Sequence, residues 1–167
     1  MLLATVLLSG CGPSIVATIT VHHTLQDSSG PTRYALVPLK DQETGNENAA
    51  YRNAISRELA RYRYLESDVP NASLLLSFSF GINEGRILPP AGFFDPAAYT
   101  EYSRGLWIFL YENTPERADE LKIVYEGSVV SAGPLTEVSN AMPAMIRALF
   151  REFPGESGAT RKEYIEP

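Results

Sequence analysis

The only cysteine of this 167-residue chain, Cys11, follows a short apolar run. A thiol can act as a nucleophile, bind a metal ion, form a disulfide or accept a covalent group. One cysteine cannot form a disulfide within the chain, and it cannot build a cysteine-rich zinc site. In an exported protein, such a residue is expected to be reactive, paired with another chain, or modified.

The residues before Cys11 are typical of an export signal. Residues 2–8 carry no charge and are too few to span a bilayer, which requires about 20 residues. Residues 8–11, Leu-Ser-Gly-Cys, resemble the lipobox that bacterial lipoprotein signal peptidase recognises. The resemblance implies cleavage between Gly10 and Cys11, diacylglycerol on the Cys11 thiol, and a fatty acyl chain such as palmitate on the new amino terminus. The alternative is a buried strand that ends in a cysteine by chance.

Lipidation at Cys11 would determine where the protein resides. Several acyl chains, each contributing about 0.8 kcal/mol per buried CH₂, form a stable anchor. Gly12 stands where an Asp would favour the inner membrane, so we expect the outer membrane, with the domain facing the periplasm. We expect a signal peptide at 1–10 and a lipidated tether at 11–14. Because no basic residue precedes the apolar run, we also expect the signal peptide to be truncated at its start.

Other chemistry finds little support in the sequence. The formal net charge of −6 and the lack of clustered cations argue against a nucleic-acid partner. His22 and His23 are adjacent in a predicted strand and point to opposite faces, so they cannot hold one metal ion, and we expect His23 to be a hydrogen-bonded core residue. No Gly-x-Ser-x-Gly motif occurs, and only the loop carboxylates Glu84, Asp95 and Glu101 could pair as acid and base. We predict no enzymatic activity, no cofactor and no metal site.

Hydrophobic periodicity predicts the elements that would carry a site. Alternation of apolar and polar residues predicts strands at 14–25, 34–39, 74–83, 106–112 and 121–132. Helical spacing predicts helices at 49–64 and 138–153, with Pro143 in the first turn of the second helix. Pro38 indicates a strand that lies at an edge or ends there, and Gly127 a possible bulge.

These elements predict one α+β domain at 15–155, followed by a polar C-terminal tail at 156–167. The expected fold is a mixed, mostly antiparallel sheet of about five strands with two helices packed on one face. The strand–helix–strand segment at 34–83 suggests that its two strands are parallel neighbours. The last two predicted strands are expected to form an antiparallel pair. The strand at 106–112 is apolar on both faces, so we expect a central strand that is covered on both sides.

Three aromatic residues, Trp107, Phe109 and Tyr111, share one face of that central strand. If both helices cover the other face, the aromatic row lies on the same side as Ser77 and Ser79. Something should cover the row, because large exposed apolar patches are rare on monomers.

Two interpretations of this aromatic row stay open. In the first, the long loop at 84–103 folds back over the row and covers it with Phe93, Phe94, Tyr99 or Tyr102. In the second, the row forms a groove for a partner protein or an apolar ligand. These loop and strand aromatics are therefore our candidate contact residues.

With these segments placed, the chain resembles a bacterial lipoprotein family, domain of unknown function 4136. The segments that carry the resemblance are "TRYALVPL", "AYRNAISRELARYRY", "ASLLLSFSFGI", "LWIFLYE", "VYEGSVVS" and "FREFPG", and they extend from 15 to 155. The resemblance implies a small envelope lipoprotein that assists a transport or assembly machine, with helices on one side of a mixed sheet. It supplies no catalytic residue.

The expected function is therefore that of a lipid-anchored, non-enzymatic accessory or binding module of an outer-membrane or periplasmic complex. Its expected partners are the membrane, through lipidated Cys11, and an envelope protein. One alternative is a carrier of an apolar ligand in a groove near Trp107 and Phe109. A second alternative is a hydrolase.

Overall fold

The computed structural model describes residues 15–26, 30–39, 46–89, 98–114, 121–134 and 140–166. These residues form eight strands, two α-helices and a short 3₁₀ helix at Val69–Asn71. The elements are β1 (Ile15–His23), β2 (Thr32–Leu36), α1 (Asn46–Ala60), β3 (Tyr64–Glu66), β4 (Leu74–Ile82), β5 (Arg86–Leu88), β6 (Tyr99–Glu112), β7 (Ile123–Gly133), α2 (Met142–Phe150) and β8 (Thr160–Ile165).

The strands form one open mixed sheet in the order β3-β2-β4-β6-β7-β1-β8, with β5 paired to the start of β6. β2 runs parallel to β3 and β4, and the other pairs are antiparallel. The predicted α+β class, the mostly antiparallel sheet and its two helices are confirmed. The predicted number of about five strands is wrong, because the sheet has eight.

Three strands escaped the sequence analysis. β3 and β5 have three residues each, which is too short for a visible alternation. β8 lies within the segment predicted as a polar tail, 156–167, and pairs with β1 along its whole length. That prediction of a tail is wrong. Three consecutive residues of β8, Arg161, Lys162 and Glu163, are charged, so both faces of the strand carry charge and the apolar alternation of an ordinary strand is missing.

One face of the sheet, here called the helix face, carries α1 and α2. The spacing of Tyr51, Ile55 and Leu59 along α1 points all three into the core, where they are buried. α1 ends at Ala60 rather than at the predicted position 64, since three 3₁₀-type hydrogen bonds tighten its last turn and Arg63 adopts a φ of 66°.

α2 is apolar on most of its surface and lies at the centre of the core. Pro143 lies in its first turn, as predicted. The hydroxyl of Tyr62 donates to the carbonyl oxygens of Phe150 and Arg151, at 2.7 and 2.8 Å, so the end of α1 is tied to the end of α2. Neither helix in the described ranges is both long and apolar enough to cross a membrane.

Two predicted irregularities have different outcomes. Pro38 predicted a strand that lies at an edge or ends there, and β2 does end before it, at Leu36. Gly127 is not a bulge, because β7 keeps its register there and the irregularity falls instead between Leu110 and Tyr111. Gly127 makes room for an aromatic ring, since a Cβ there would lie 2.5 Å from the hydroxyl oxygen of Tyr125.

Candidate functional site: the open face of the sheet

The face of the sheet opposite the helices, here called the open face, carries the aromatic row of β6. Alternation along β6 places its aliphatic residues on the helix face, where Leu106, Ile108 and Leu110 are buried. The intervening residues, Trp107, Phe109 and Tyr111, therefore lie on the open face. Trp107 is 37% exposed, so the strand is central but not covered on both sides by the described residues.

The aromatic rings of the row pack along the strand. The ring centroids of Phe109 and Tyr111 are 6.2 Å apart, with an angle of 29° between the ring planes. The indole of Trp107 turns the other way and lies across Gly105, where a Cβ would be 2.2 Å from its Cη2 atom. We call the three aromatic side chains the aromatic ridge.

Small side chains flank Trp107 of the ridge on both neighbouring strands. Ser77 and Ser79 of β4 lie directly opposite Phe109 and Trp107, as the alternation predicts, and Ser128 of β7 lies opposite Trp107. Phe109 has the larger Glu126 opposite it on β7, so Trp107 is the ridge residue with small neighbours on both strands. The hydroxyl oxygen of Ser77 is buried and has no hydrogen-bond partner within the described part of the chain.

A shallow groove of about 480 Å³ lies on the open face near the start of β1. Its lining includes the apolar Val16 and Val130, the aromatic Tyr99, and the opposite charges of Glu101 and Lys162. Tyr99 shares a side of β6 with Trp107, but eight positions along the strand separate them. The groove and the ridge are therefore distinct features of one face.

The structure separates the other predicted contact residues. Tyr102 lies on the opposite side of β6 from Trp107, and its ring fills the space beside Gly85, where a Cβ would be 2.8 Å from the ring. Gly10, Cys11, Phe93 and Phe94 lie outside the described residues, so the predicted cover of the ridge by the two phenylalanines stays a prediction.

Two of the three carboxylates that could form a catalytic pair lie within the described residues. Glu101 accepts a hydrogen bond of 2.8 Å from Arg86, and Glu84 is exposed. Asp95 lies outside the described residues. Over the described ranges, no group of three His, Cys, Asp or Glu side chains could hold a metal ion.

The two histidines point to opposite faces of β1, as their adjacency predicts. His22 is exposed, whereas His23 is partly buried beside Tyr125, with 6.4 Å between the ring centroids. The Nε2 atom of His23 lies 3.0 Å from the carbonyl oxygen of Gly155. His23 is thus hydrogen-bonded within the fold.

A polar cluster that the sequence analysis missed joins the helix face to the start of α1. The guanidinium of Arg104, on the apolar side of β6, donates to the Glu47 carboxylate and, at 2.6 Å, to the Tyr51 hydroxyl. Tyr51 also donates to Glu47. The sequence contained a signal for this cluster. Arg104 lies two residues before the buried Leu106, and alternation places both side chains on the same face of the strand.

This cluster shifts the acidity of both of its acidic members. Hydrogen bonds from Tyr51 and then Arg104 hold the pKa of the Glu47 carboxyl below its usual value. Burial, and then the hydrogen bond to Glu47, raises the pKa of the Tyr51 hydroxyl to about 12. Both shifts favour the protonation states that hold α1 on the sheet at neutral pH.

No protein-family model and no curated protein matches the sequence. Several solved structures match the fold. A PDZ domain protein from Parabacteroides distasonis matches with a TM-score of 0.53 and 12% identity over 89% of this chain, which spans only 38% of that protein. A PelC dodecamer from Paraburkholderia phytofirmans matches with a TM-score of 0.50 and 13% identity, over 80% of this chain and 94% of that one.

A DUF4136 family protein from Bacteroides thetaiotaomicron matches with a TM-score of 0.54 and 12% identity. The match covers 84% of this chain and 97% of that protein, so it extends over nearly the whole of the known domain. At such low identity the likeness concerns the fold alone. The chain is therefore a distant structural relative of a DUF4136 family protein.

Proposed function

We propose that the protein is a lipid-anchored accessory or binding module of a bacterial envelope complex, and that it binds a protein partner through the open face. The observation that carries the proposal is the aromatic ridge, which stands on a sheet face that neither helix covers. The anchor is supported by the lipobox-like residues 8–11, which lie outside the described residues.

The composition of the open face fits a protein interface. Aromatic residues are enriched in interfaces, and Trp and Tyr are frequent among the residues that contribute most to affinity. Ser79 and Ser128 leave low ground on either side of Trp107, and Glu126 of β7 lies beside Phe109. Side chains of a partner could fill this low ground while packing on the rings.

A non-enzymatic role is supported by the state of the described carboxylates. Glu101 is paired with Arg86, and the half-exposed Glu47 is paired with the buried Arg104, which joins α1 to the sheet. The carrier alternative has one supporting observation, the groove beside Tyr99. Since neither Trp107 nor Phe109 lines that groove, a carrier site near those two residues has less support than a protein contact.

The membrane anchor is tested by replacing the thiol. Cys11→Ser should release the protein from the outer-membrane fraction into the soluble periplasm, and the amino-terminal peptide of the unaltered protein should carry the mass of its acyl chains. An unmodified Cys11, or an unchanged distribution between fractions, would contradict the anchor.

The binding role is tested by weakening the ridge in the anchored protein. Phe109→Ser should abolish copurification of a cross-linked partner, whereas Arg147→Ser, a change of an exposed residue on α2, should preserve it. The partner must be distinguished from a second copy of this chain, because PelC was solved as a dodecamer. Equal copurification with both variants would contradict a contact through the ridge.

A further inference from the structure

One end of the sheet lies next to the chain that leads to Cys11. β1 starts at Ile15, and β8 ends beside it at Ile165. The four Cα–Cα steps from Ile15 to Cys11 span at most about 14 Å even when fully extended. A lipid on Cys11 would therefore keep this end of the sheet close to the membrane surface.

A two-stranded arm projects from the same end. We define the arm as β5 together with the first three residues of β6, and Ile87 and Leu88 of β5 pair with Thr100 and Tyr99 of β6. The next residue, Tyr102, pairs with Gly133, the last residue of β7. The arm thus extends three residues past the end of β7, which is about 10 Å in a strand.

The arm and the amino-terminal end of β1 point the same way. Val16 pairs with Ala132, and Ala132 also pairs with Ser103, so the three strands are aligned at this end. Both β1 and β6 are antiparallel to β7, so the amino-terminal ends of β1 and β6 lie at this same end of the sheet. The reach of the arm, about 10 Å, is comparable to the maximum span of the tether, about 14 Å.

The arm exposes side chains that suit the boundary between water and lipid. Ile87 is 75% exposed, the largest exposure of any aliphatic side chain recorded for the described residues, and Tyr99 is 42% exposed. A tyrosine ring has an apolar body and a polar hydroxyl, and such residues are enriched at membrane interfaces. Arg86 and Glu101 pair with each other at the base of the arm, so their charges largely compensate.

We propose that this arm is a second membrane contact: Ile87 inserts among the lipid headgroups of the membrane to which Cys11 is attached, and Tyr99, whose ring lines the groove on the open face, lies at the edge of this contact. The proposal rests on the lipid anchor of the proposed function. Two contacts at one end of the sheet fix the orientation of the domain, with the strands rising from the membrane. The aromatic ridge, on the side of the sheet, then stays accessible to a protein partner.

The test uses the chain's single tryptophan, which can be moved. In a Trp107→Phe background, Ile87→Trp places a reporter on the arm, and Leu121→Trp places a matched reporter at the other end of the sheet. Both host positions are exposed, at 75% and 54%, so both variants are expected to fold. The lipidated proteins are reconstituted in phosphatidylethanolamine–phosphatidylglycerol vesicles, with and without brominated acyl chains.

Insertion of the arm predicts that the emission of the reporter at 87 shifts to shorter wavelength and is quenched by bromine, while the reporter at 121 shows neither effect. The mass of the amino-terminal peptide is measured on the same samples. An acylated Cys11 with no quenching at 87, or with equal quenching at 87 and 121, would overturn the arm contact and leave the anchor intact. An unacylated Cys11 would overturn both.

Discussion

The indole ring of Trp107 lies across the backbone of Gly105, two residues earlier on β6, and occupies the space where a side chain would begin. A Cβ on Gly105 would lie 2.2 Å from Cη2 of the ring, a distance that no side chain tolerates. Directly across on β4, Gly81 pairs with Gly105 and has nothing within 4 Å of the same position. The pose of the most exposed ring of the ridge therefore depends on one glycine.

We expect Gly105→Ala to displace the Trp107 indole and to lower the free energy of unfolding by about 1–3 kcal/mol through overpacking. Since Trp107 is the only tryptophan, its emission should change in the folded protein. Gly81→Ala is the matched control and should be neutral or stabilise by about 0.5–1 kcal/mol, because alanine loses less entropy in a strand. Equal spectra for the two variants would refute the contact.

We expect Arg161→Ala to lower the free energy of unfolding by about 1–3 kcal/mol, the range for a lost hydrogen bond to a charged group. Its guanidinium donates 2.8 Å to the carbonyl oxygen of Ala148, near the end of α2, where a cation also complements the helix dipole. Urea unfolding measures the change. Lys162→Ala, on the other side of β8, should lower the free energy of unfolding by less than about 0.5 kcal/mol. A similar decrease in both variants would contradict the role of Arg161 in holding the end of α2.

We expect the protein to lose stability in alkaline solution. The pKa of Tyr51 is raised from 10.0 to about 12, so the folded state resists its ionisation while the unfolded chain ionises freely. Its stabilising effect is complete below pH 10 and is lost as the pH rises through about 12. Burial raises the pKa of Tyr34 in the same direction.

Unfolding free energies measured across this range should fall with increasing pH. Tyr51→Phe should reduce the slope, since it removes one of the groups that titrate differently in the two states. Tyr164→Phe, at a residue that is 79% exposed, is the matched control and should leave the slope unchanged. A slope that Tyr51→Phe does not alter would contradict the assignment.

We expect the Glu47 carboxylate to contribute stability that acid removes. Its pKa is lowered from 4.5 in the folded protein, so its contribution is present above pH 4.5 and is lost as the pH falls through the lower folded value. Glu47→Gln should flatten this acid limb of the stability curve. An acid limb that Glu47→Gln leaves unchanged would contradict this contribution.

The sequence predicted those parts of the fold in which side-chain alternation reports burial. The alternation in β6 correctly separated Trp107 from Leu106, and the spacing in α1 identified its buried stripe. β8 was missed because two charged residues, Arg161 and Glu163, lie on its helix side, where alternation predicts apolar residues. The two side chains form an ion pair of 2.9 Å, which lets this edge strand carry charge on its buried side. Arg104 was overlooked because it is a charged residue on the buried side of a strand. Its partners, Tyr51 and Glu47, lie 53 and 57 positions away in the chain, so local patterning could not reveal them.

Contact with a protein partner through the aromatic ridge is tested most directly by photo-cross-linking. Trp107 is replaced by a benzophenone amino acid in the anchored protein and irradiated in intact cells, with the same residue at Arg147 on α2 as the control. We predict a discrete adduct from position 107 and none from position 147, and its mass will distinguish a different protein from a second copy of this chain. No adduct from position 107, or equal adducts from both positions, would contradict binding through the open face.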